Sequence, residues 1–176
     1  MKVYTKGGDK GETSLLGKRV SKADQRINII GTLDQVMVSL GELASLINRD
    51  NIRENLKRIY RVFFLIQSQI ADYNNSLGIE TELEEVQFLE SQIDTMDEVL
   101  PPLKNFIYYI GHDLALKAHR IRVEIRSLER FLIALNQEED IKDTILMYIN
   151  RASDYFYVLG RYINYINNYE DEIIKL

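Results

Sequence analysis

Apolar residues return every three or four positions along most of this chain, and that spacing limits its fold more than any other feature. Leu33, Val36, Met37, Leu40, Leu43, Ala44 and Ile47 form one stripe. Ile52, Leu56, Ile59, Phe63, Ile66 and Ile70 form a second, reaching about Asn74 before Gly78 breaks it, and Val86, Leu89, Ile93 and Met96 form a third. Thr32 with Gln35, and Thr81 with Glu84, have the spacing of capping boxes; they set the expected starts of the first and third helices, the first ending near Asn48. Pro101-Pro102, the only prolines, stop the third. A fourth helix is expected from about Asp113 to Leu135 and a fifth from Asp140, a good N-cap, to about Asn167. No segment alternates with a period of two for long enough to make a strand. The expected fold is therefore all-α, a bundle of four long helices and a shorter one.

Composition narrows the function. With 176 residues, 45% of them hydrophobic, the chain can bury one core, and we read 1–176 as a single domain, 1–25 a loop and 26–176 the bundle. Cysteine is absent and only His112 and His119 are present, which excludes thiolate and histidine-rich metal sites. His112 begins the fourth helix, His119 is expected at a surface or interface, and neither is taken as a ligand; the tyrosines are read as packing. A net charge of −5 argues against a nucleic-acid footprint. No run of about 18 apolar residues suits a bilayer, and Met1-Lys2 leads into charged sequence without a signal-peptide core, so the expectation is a cytoplasmic protein that engages no membrane.

The opening stretch, "VYTKGGDKGETSLLGKRVSK", places Gly7, Gly8, Gly11 and Gly17 among Lys6, Lys10, Lys18, Arg19 and Lys22, with hydroxyls at Thr5, Thr13 and Ser14. Glycine lets backbone approach a ligand closely, while cations and hydroxyls suit phosphate oxygens. Almost nothing in the stretch can join a core. Neither the Walker A pattern nor the dinucleotide fingerprint is present, so from these residues alone the stretch is either a phosphate loop or a mobile tail.

Polar stripes mark helices four and five. In "HRIRVEIRSLERF", Arg122, Arg126 and Glu129 share one face, with Arg130 beside Glu129. In "INRASDYFYVLGRYIN", Asn150, Asp154 and Arg161 form a polar stripe opposite Ile149, Ala152, Phe156, Leu159 and Ile163. Three uses fit such stripes: a solvated salt-bridged face, an ion-paired subunit contact, or a triphosphate clamp in which guanidinium groups grip phosphate oxygens.

Taken in order, "YTKGGDKGETSLLG", "DQRINIIGTLDQV", "PPLKNF", "RVEIRSLER" and "NRASDYFYVLGRYIN" resemble the PduO-type ATP:cob(I)alamin adenosyltransferases across nearly the whole chain. The resemblance implies a ferritin-like up-down bundle of five helices, a homotrimer with active sites between subunits, and transfer of the 5′-deoxyadenosyl group of ATP to the cobalt of reduced cobalamin, with Mg2+ and release of triphosphate. It implies ATP binding by Thr5, Lys6, Gly7, Gly8, Thr13, Ser14, Lys22, Arg126, Glu129, Arg130 and Asn150. Lys6, Arg126 and Arg130 would carry catalysis, stabilising the departing triphosphate. Asp34 would pair across the subunit boundary with Arg122, and Phe106 would cover the lower face of the corrin and keep the axial base from cobalt. No protein metal site is implied; a reductase and a cobalamin-dependent enzyme are the implied partners.

Several positions depart from the family pattern. "YYIGHD" follows Phe106 where many members have Pro-Gly-Gly-Ser, retaining only Gly111. Ser127 replaces the second arginine of Arg-Arg-Ala-Glu-Arg, and Gln35 and Met37 replace the usual Glu and Asn after Asp34. These changes touch the corrinoid side more than the ATP side. A non-catalytic trimeric bundle that binds ATP or a corrinoid, as sensor or carrier, is the alternative function, and a purely structural trimer is a third.

Overall fold

The computed structural model describes Tyr4 and residues 6–175, with β1 (Glu12–Leu15) and β2 (Lys18–Ser21) ahead of five helices. These are α1 (Gln25–Leu46), α2 (Asp50–Ala71), α3 (Leu83–Asp97), α4 (Asp113–Asn136) and α5 (Asp143–Ile166). Four helices have 22 to 24 residues and α3 has 15, the expected pattern of four long helices and a shorter one. Side-chain pairs give their directions. Lys117 of α4 donates to Glu42 of α1 while Gln25 reaches Glu138 beyond the far end of α4, so α1 and α4 are antiparallel. Asn55 with Gln92 and Arg58 with Glu85 set α2 against α3, and Asn150 with Glu129 sets α5 against α4. The helices thus alternate up and down.

The apolar stripes are the core. Leu33, Leu40, Leu43, Leu56, Phe63, Ile66, Leu89, Ile121, Ile125, Leu128, Ile149, Phe156 and Leu159 are all buried. Tyr148 lies fully buried with its ring edge-on to Phe63 at 5.9 Å. Burial of this kind stabilises by about 25 cal/mol per Å² of apolar surface, and it is this face, not local propensity, that holds long helices together.

Helix starts differ from the sequence expectation. α1 begins seven residues ahead of Thr32, because Asp24 caps it by accepting from the Arg26 amide at 2.8 Å. Thr32 is a mid-helix residue whose hydroxyl donates to Asn28 O. Thr81 is buried and accepts from Gln69, leaving Glu82 as the N-cap of α3 without a side-chain bond. α5 starts after Lys142, not at Asp140. By length and apolarity α1 meets the requirements of a membrane span, which the sequence reading had not found. In the bundle its Ile29, Leu33, Val36, Leu40 and Leu43 are core, while Gly31, Val38, Ser45 and Leu46 face outward, Val38 with 74% of its surface exposed.

The opening stretch contains the two short strands that periodicity did not predict. β1 and β2 pair antiparallel, Thr13 opposite Val20 and Leu15 opposite Lys18, around a turn at Leu16-Gly17. Gly17 has φ +89°, and a Cβ there would stand 2.3 Å from the Asn74 amide, so only glycine fits. Val20 is buried, correcting the expectation that the stretch gives almost nothing to a core. The hairpin is moored beside α2: Leu16 N donates to Ala71 O at 2.9 Å and Tyr73 N to Leu16 O at 3.0 Å, while Lys18 Nζ reaches the Tyr73 hydroxyl at 2.7 Å. Asp72 fixes the receiving turn by accepting from Leu77 N and the Ser76 hydroxyl, which holds its carboxyl below the ordinary value.

Helices α4 and α5 approach closely at Gly160, where a Cβ would lie 2.5 Å from the His119 ring. Alanine ordinarily gains about 1 kcal/mol over glycine inside a helix. Overpacking a trapped ring costs typically about 1–3 kcal/mol, and His119 is buried against Tyr109 with nowhere to turn. Gly160→Ala is therefore expected to lower the melting temperature by up to about 8 °C in thermal unfolding followed by circular dichroism. An unchanged or raised midpoint would mean that the helix pair spreads freely.

Candidate active site

Three groups of residues meet the chemical requirements set out above. The first is the N-terminal loop. Thr5 lies outside the described residues. Lys6 takes φ +57°, a left-handed backbone that a lysine adopts at some cost. The Gly7 carbonyl accepts from Arg19 Nη2 at 2.6 Å, and Arg19 Nε pairs with Glu12 at 2.8 Å, so the hairpin braces the loop. Gly8 lies under the end of Lys22, since a Cβ at Gly8 would stand 3.2 Å from the ammonium. Thr13 and Ser14, adjacent on β1, project to opposite faces of the hairpin. Thr13 shares the face of Val20 and Ser14 that of Arg19.

The second group lies on α4 and α5. Asn150 donates to Glu129 at 2.9 Å, joining the two helices. Arg130 Nη2 donates to the Ser127 hydroxyl at 3.0 Å, so the serine that replaces an arginine here steadies the next one. Arg126 is exposed and, among the described residues, forms no ion pair. Arg161 does not share their stripe. It is buried, pairs with Asp171 at 2.8 Å and donates to Pro101 O at 2.7 Å. Asp154 pairs instead with Arg151.

The third group surrounds Phe106, in the segment between α3 and α4. Phe106 is 75% exposed, unusually open for a phenylalanine. Its backbone is held from the C-terminal strand of chain: Ile174 N donates to Phe106 O at 2.8 Å and Tyr108 N to Glu172 O at 2.9 Å. Asn164 closes the other end, donating to Ile110 O and accepting from His112 N, each at 2.9 Å. A cavity of about 570 Å³ lies between this segment and the C-terminal residues, with Pro102, Leu103, Tyr165 and Tyr169 in its walls and Arg161–Asp171 at its side. Arg122 donates to the Tyr109 hydroxyl at 3.1 Å and lies 5.2 Å from the Tyr157 ring centre. Asp34 accepts from Gln67 at 2.5 Å, and among the described residues no ion pair joins Asp34 to Arg122 in one chain.

The altered residues beside Asp34 have separate fates. Met37 is buried in the core, so that change falls inside the bundle. Gln35 donates to the buried Glu124 at 3.4 Å, where a glutamate would face a second carboxylate. His112 caps α4 through Nδ1, as its position suggested. His119 is not a surface residue: it is 3% exposed, stacked on Tyr109 at 4.5 Å, and its Nδ1 has no hydrogen-bond partner. Burial, helped by the Arg122 charge, lowers its pKa from 6.5 to about 4. The sequence reading missed Gln67, Tyr109, His119, Asn164 and Asp171 as supports. Only Asn164 and Asp171 left a signal, as polar residues in or after an apolar helix end.

The sequence profile described as cobalamin adenosyltransferase matches residues 3–163. The chain is similar to the corrinoid adenosyltransferase of Bacillus subtilis, 37% identical over 172 residues that cover 93% of this chain and 87% of the relative. It is 33% identical to the corrinoid adenosyltransferase PduO of Citrobacter freundii over 92% of its own length but 49% of that protein's. Among solved structures, a Phe-to-Ala variant of a PduO-type ATP:corrinoid adenosyltransferase from Lactobacillus reuteri, complexed with cobalamin and ATP, matches with TM-score 0.94 and 31% identity, covering 99% of this chain and 100% of that one. An Arg-to-Lys variant from the same organism, complexed with ATP, matches with TM-score 0.92 and 34% identity over 98% and 100%.

The buried imidazole makes stability depend on pH. Its folded pKa lies below its unfolded one, so as pH falls from about 6.5 toward 4 the unfolded chain takes up the proton first. Stability should be level above pH 6.5 and decline by up to about 3 kcal/mol toward pH 4. Glu42 and Asp72, both held below their ordinary values of 4.5 and 3.8, lose their contributions only at lower pH. Urea unfolding between pH 7.5 and 4.5 measures this, and His119→Phe should flatten the slope.

Proposed function

This chain belongs to the cobalamin adenosyltransferase family, and on that premise we propose that it transfers the 5′-deoxyadenosyl group of ATP to the cobalt of a reduced corrinoid, releasing triphosphate. One observation carries the assignment of the site. Arg126, exposed and without an ion-pair partner among the described residues, stands between Arg122 and Arg130 on α4, directly beside the Glu129–Asn150 pair. Successive members of that row are four residues apart, about 6 Å along the helix. The row leads from the Phe106 segment toward the end of the bundle where the glycine-rich loop is moored.

The chemistry asks little of a nucleophilic side chain. Reduced cobalt supplies the electron pair that forms the cobalt–carbon bond as the C5′–oxygen bond breaks, and that bond's electrons leave on the triphosphate. What the protein must supply is alignment and stabilisation of the departing charge. Lys6, Arg126 and Arg130 take the charge; Thr5, Gly7, Gly8, Thr13, Ser14 and Lys22 hold the nucleotide from the loop; Glu129 and Asn150 orient it from the helices. Because Thr13 and Ser14 face opposite ways, the hairpin closes on the nucleotide for both hydroxyls to reach it. Among the described residues no three acidic or histidine side chains converge, so Mg2+ would be held chiefly by the phosphates themselves.

The loop, residues 1–25, and the bundle, residues 26–176, divide this work, and two copies complete it. Within one chain no hydrogen bond joins the described loop residues to Arg126, Glu129, Arg130 or Asn150. Asp34 and Arg122 are likewise unpaired with each other in one chain, and Val38 on the outward face of α1 is 74% exposed. A homotrimer with each loop clasping nucleotide against its neighbour's α4 satisfies all three observations. Phe106, bulky and unable to coordinate, covers the lower face of the corrin so that cobalt is reduced without its axial base.

Two measurements test this. With Mg-ATP and chemically reduced cob(I)alamin under anaerobic conditions, the absorbance change of cobalt–carbon bond formation should appear, and Arg126→Ala should slow it about a hundredfold or more. ATP binding without turnover in the parent protein would favour a sensor or carrier. Phe106→Ala should lose activity when cob(II)alamin must be reduced in the assay yet keep more of it when cob(I)alamin is supplied. Equal loss in both would remove the lid role.

A further inference from the structure

Resting on the transferase reading, we propose that Tyr109 is a positioning residue for the corrinoid side of the reaction, tying the segment that carries Phe106 to Arg122. Tyr109 stands in the stretch where this chain departs from the family pattern, and three contacts from two helices converge on it. Its ring stacks on His119 of α4 with centres 4.5 Å apart and planes 23° from parallel. Its hydroxyl accepts from Arg122 Nη1 at 3.1 Å. The Tyr157 ring of α5 stands at 75° to it, so the two rings form a corner, and the Arg122 guanidinium sits over both, 5.8 Å from one centre and 5.2 Å from the other.

The platform beneath this corner cannot yield. His119 is buried, neutral above about pH 4, and wedged against the backbone of Gly160. Tyr109 is therefore held from below by a fixed ring and from the side by an arginine. The segment around it has no helix or strand; its backbone is pinned at Phe106, Tyr108 and Ile110 by the C-terminal residues and Asn164. Among the described residues, the Tyr109 hydroxyl alone of the bonds that fix the segment reaches a residue assigned to the subunit boundary. The angle at which Phe106 meets the corrin is thus set partly from Arg122, and engagement of Arg122 by a neighbouring Asp34 is felt under the corrin through a single phenol.

The test uses the full chain. Tyr109→Phe keeps the stacked ring and removes only the hydroxyl. With cob(I)alamin and ATP varied separately, it should raise KM for the corrinoid roughly two- to tenfold, the size of one hydrogen bond near solvent, and leave KM for ATP unchanged. The electron paramagnetic resonance spectrum of bound cob(II)alamin should show a smaller fraction without an axial base. Added to Arg122→Ala, Tyr109→Phe should have no further effect. A wild-type corrinoid KM and spectrum in Tyr109→Phe, or equal shifts in both KM values, would overturn the proposal. Amide exchange across residues 105–111 reads the tether without any substrate. It should rise severalfold in both Tyr109→Phe and Arg122→Ala; unchanged exchange in either defeats the tether, whereas absent turnover in the parent protein defeats only the transferase reading.

Discussion

Helix α4 is packed between α1 and α5, and this double burial is what the rest of the structure depends on. Ala115, Ala118, Ile121, Ile125, Leu128 and Leu132 are all without measurable exposure, so the helix can neither rotate nor slide. Two faces being taken, a narrow stripe remains, and on it stand Arg122, Arg126 and Arg130. On a helix held this way the backbone positions of the row are fixed at four-residue intervals by the packing beneath them.

Charge is distributed to the same end. The chain as a whole carries −5, and many of its arginines are answered by a carboxylate: Arg26 by Glu139, Arg58 by Glu85, Arg161 by Asp171. The Arg58–Glu85 pair is part-exposed and contributes little to stability, whereas the arginine of Arg161–Asp171 is buried. Among the described residues, Lys6 and Lys22 of the loop and Arg122, Arg126 and Arg130 of α4 form no ion pair, which adds local positive field on an acidic protein. Buried polar groups follow a similar division. Asp72, Asn164 and Arg161 have their hydrogen bonds met by backbone at the places where irregular chain must be held still.

The helices were legible because their core stripes run for five or six turns, long enough for a period of 3.6 to declare itself. Their starts were less so: Thr32 and Thr81 have capping spacing, but Asp24 and Glu82 lie where the chain actually turns, and that is decided by the hairpin and by Gln69. The hairpin itself was invisible because four-residue strands such as ETSL and KRVS bury little beyond Val20 and leave no alternation to read. The α4 and α5 residues proposed for the site were picked out by stripe and by family resemblance together, and the stripe alone misplaced Arg161. His119 was misread since a lone histidine between Ala118 and Arg120 carries no sign of the glycine on another helix that makes room for it.

The two extremities of the chain are fastened in the same manner. Each is laid against the bundle by an isolated bridge of two backbone hydrogen bonds, Leu16 beside Asp72 at one end and Ile107 beside Ile173 at the other. Local opening at such points requires far less free energy than parting the helices, because so little apolar surface is exposed when they peel away. Either extremity can therefore peel and reclose while the bundle stays folded.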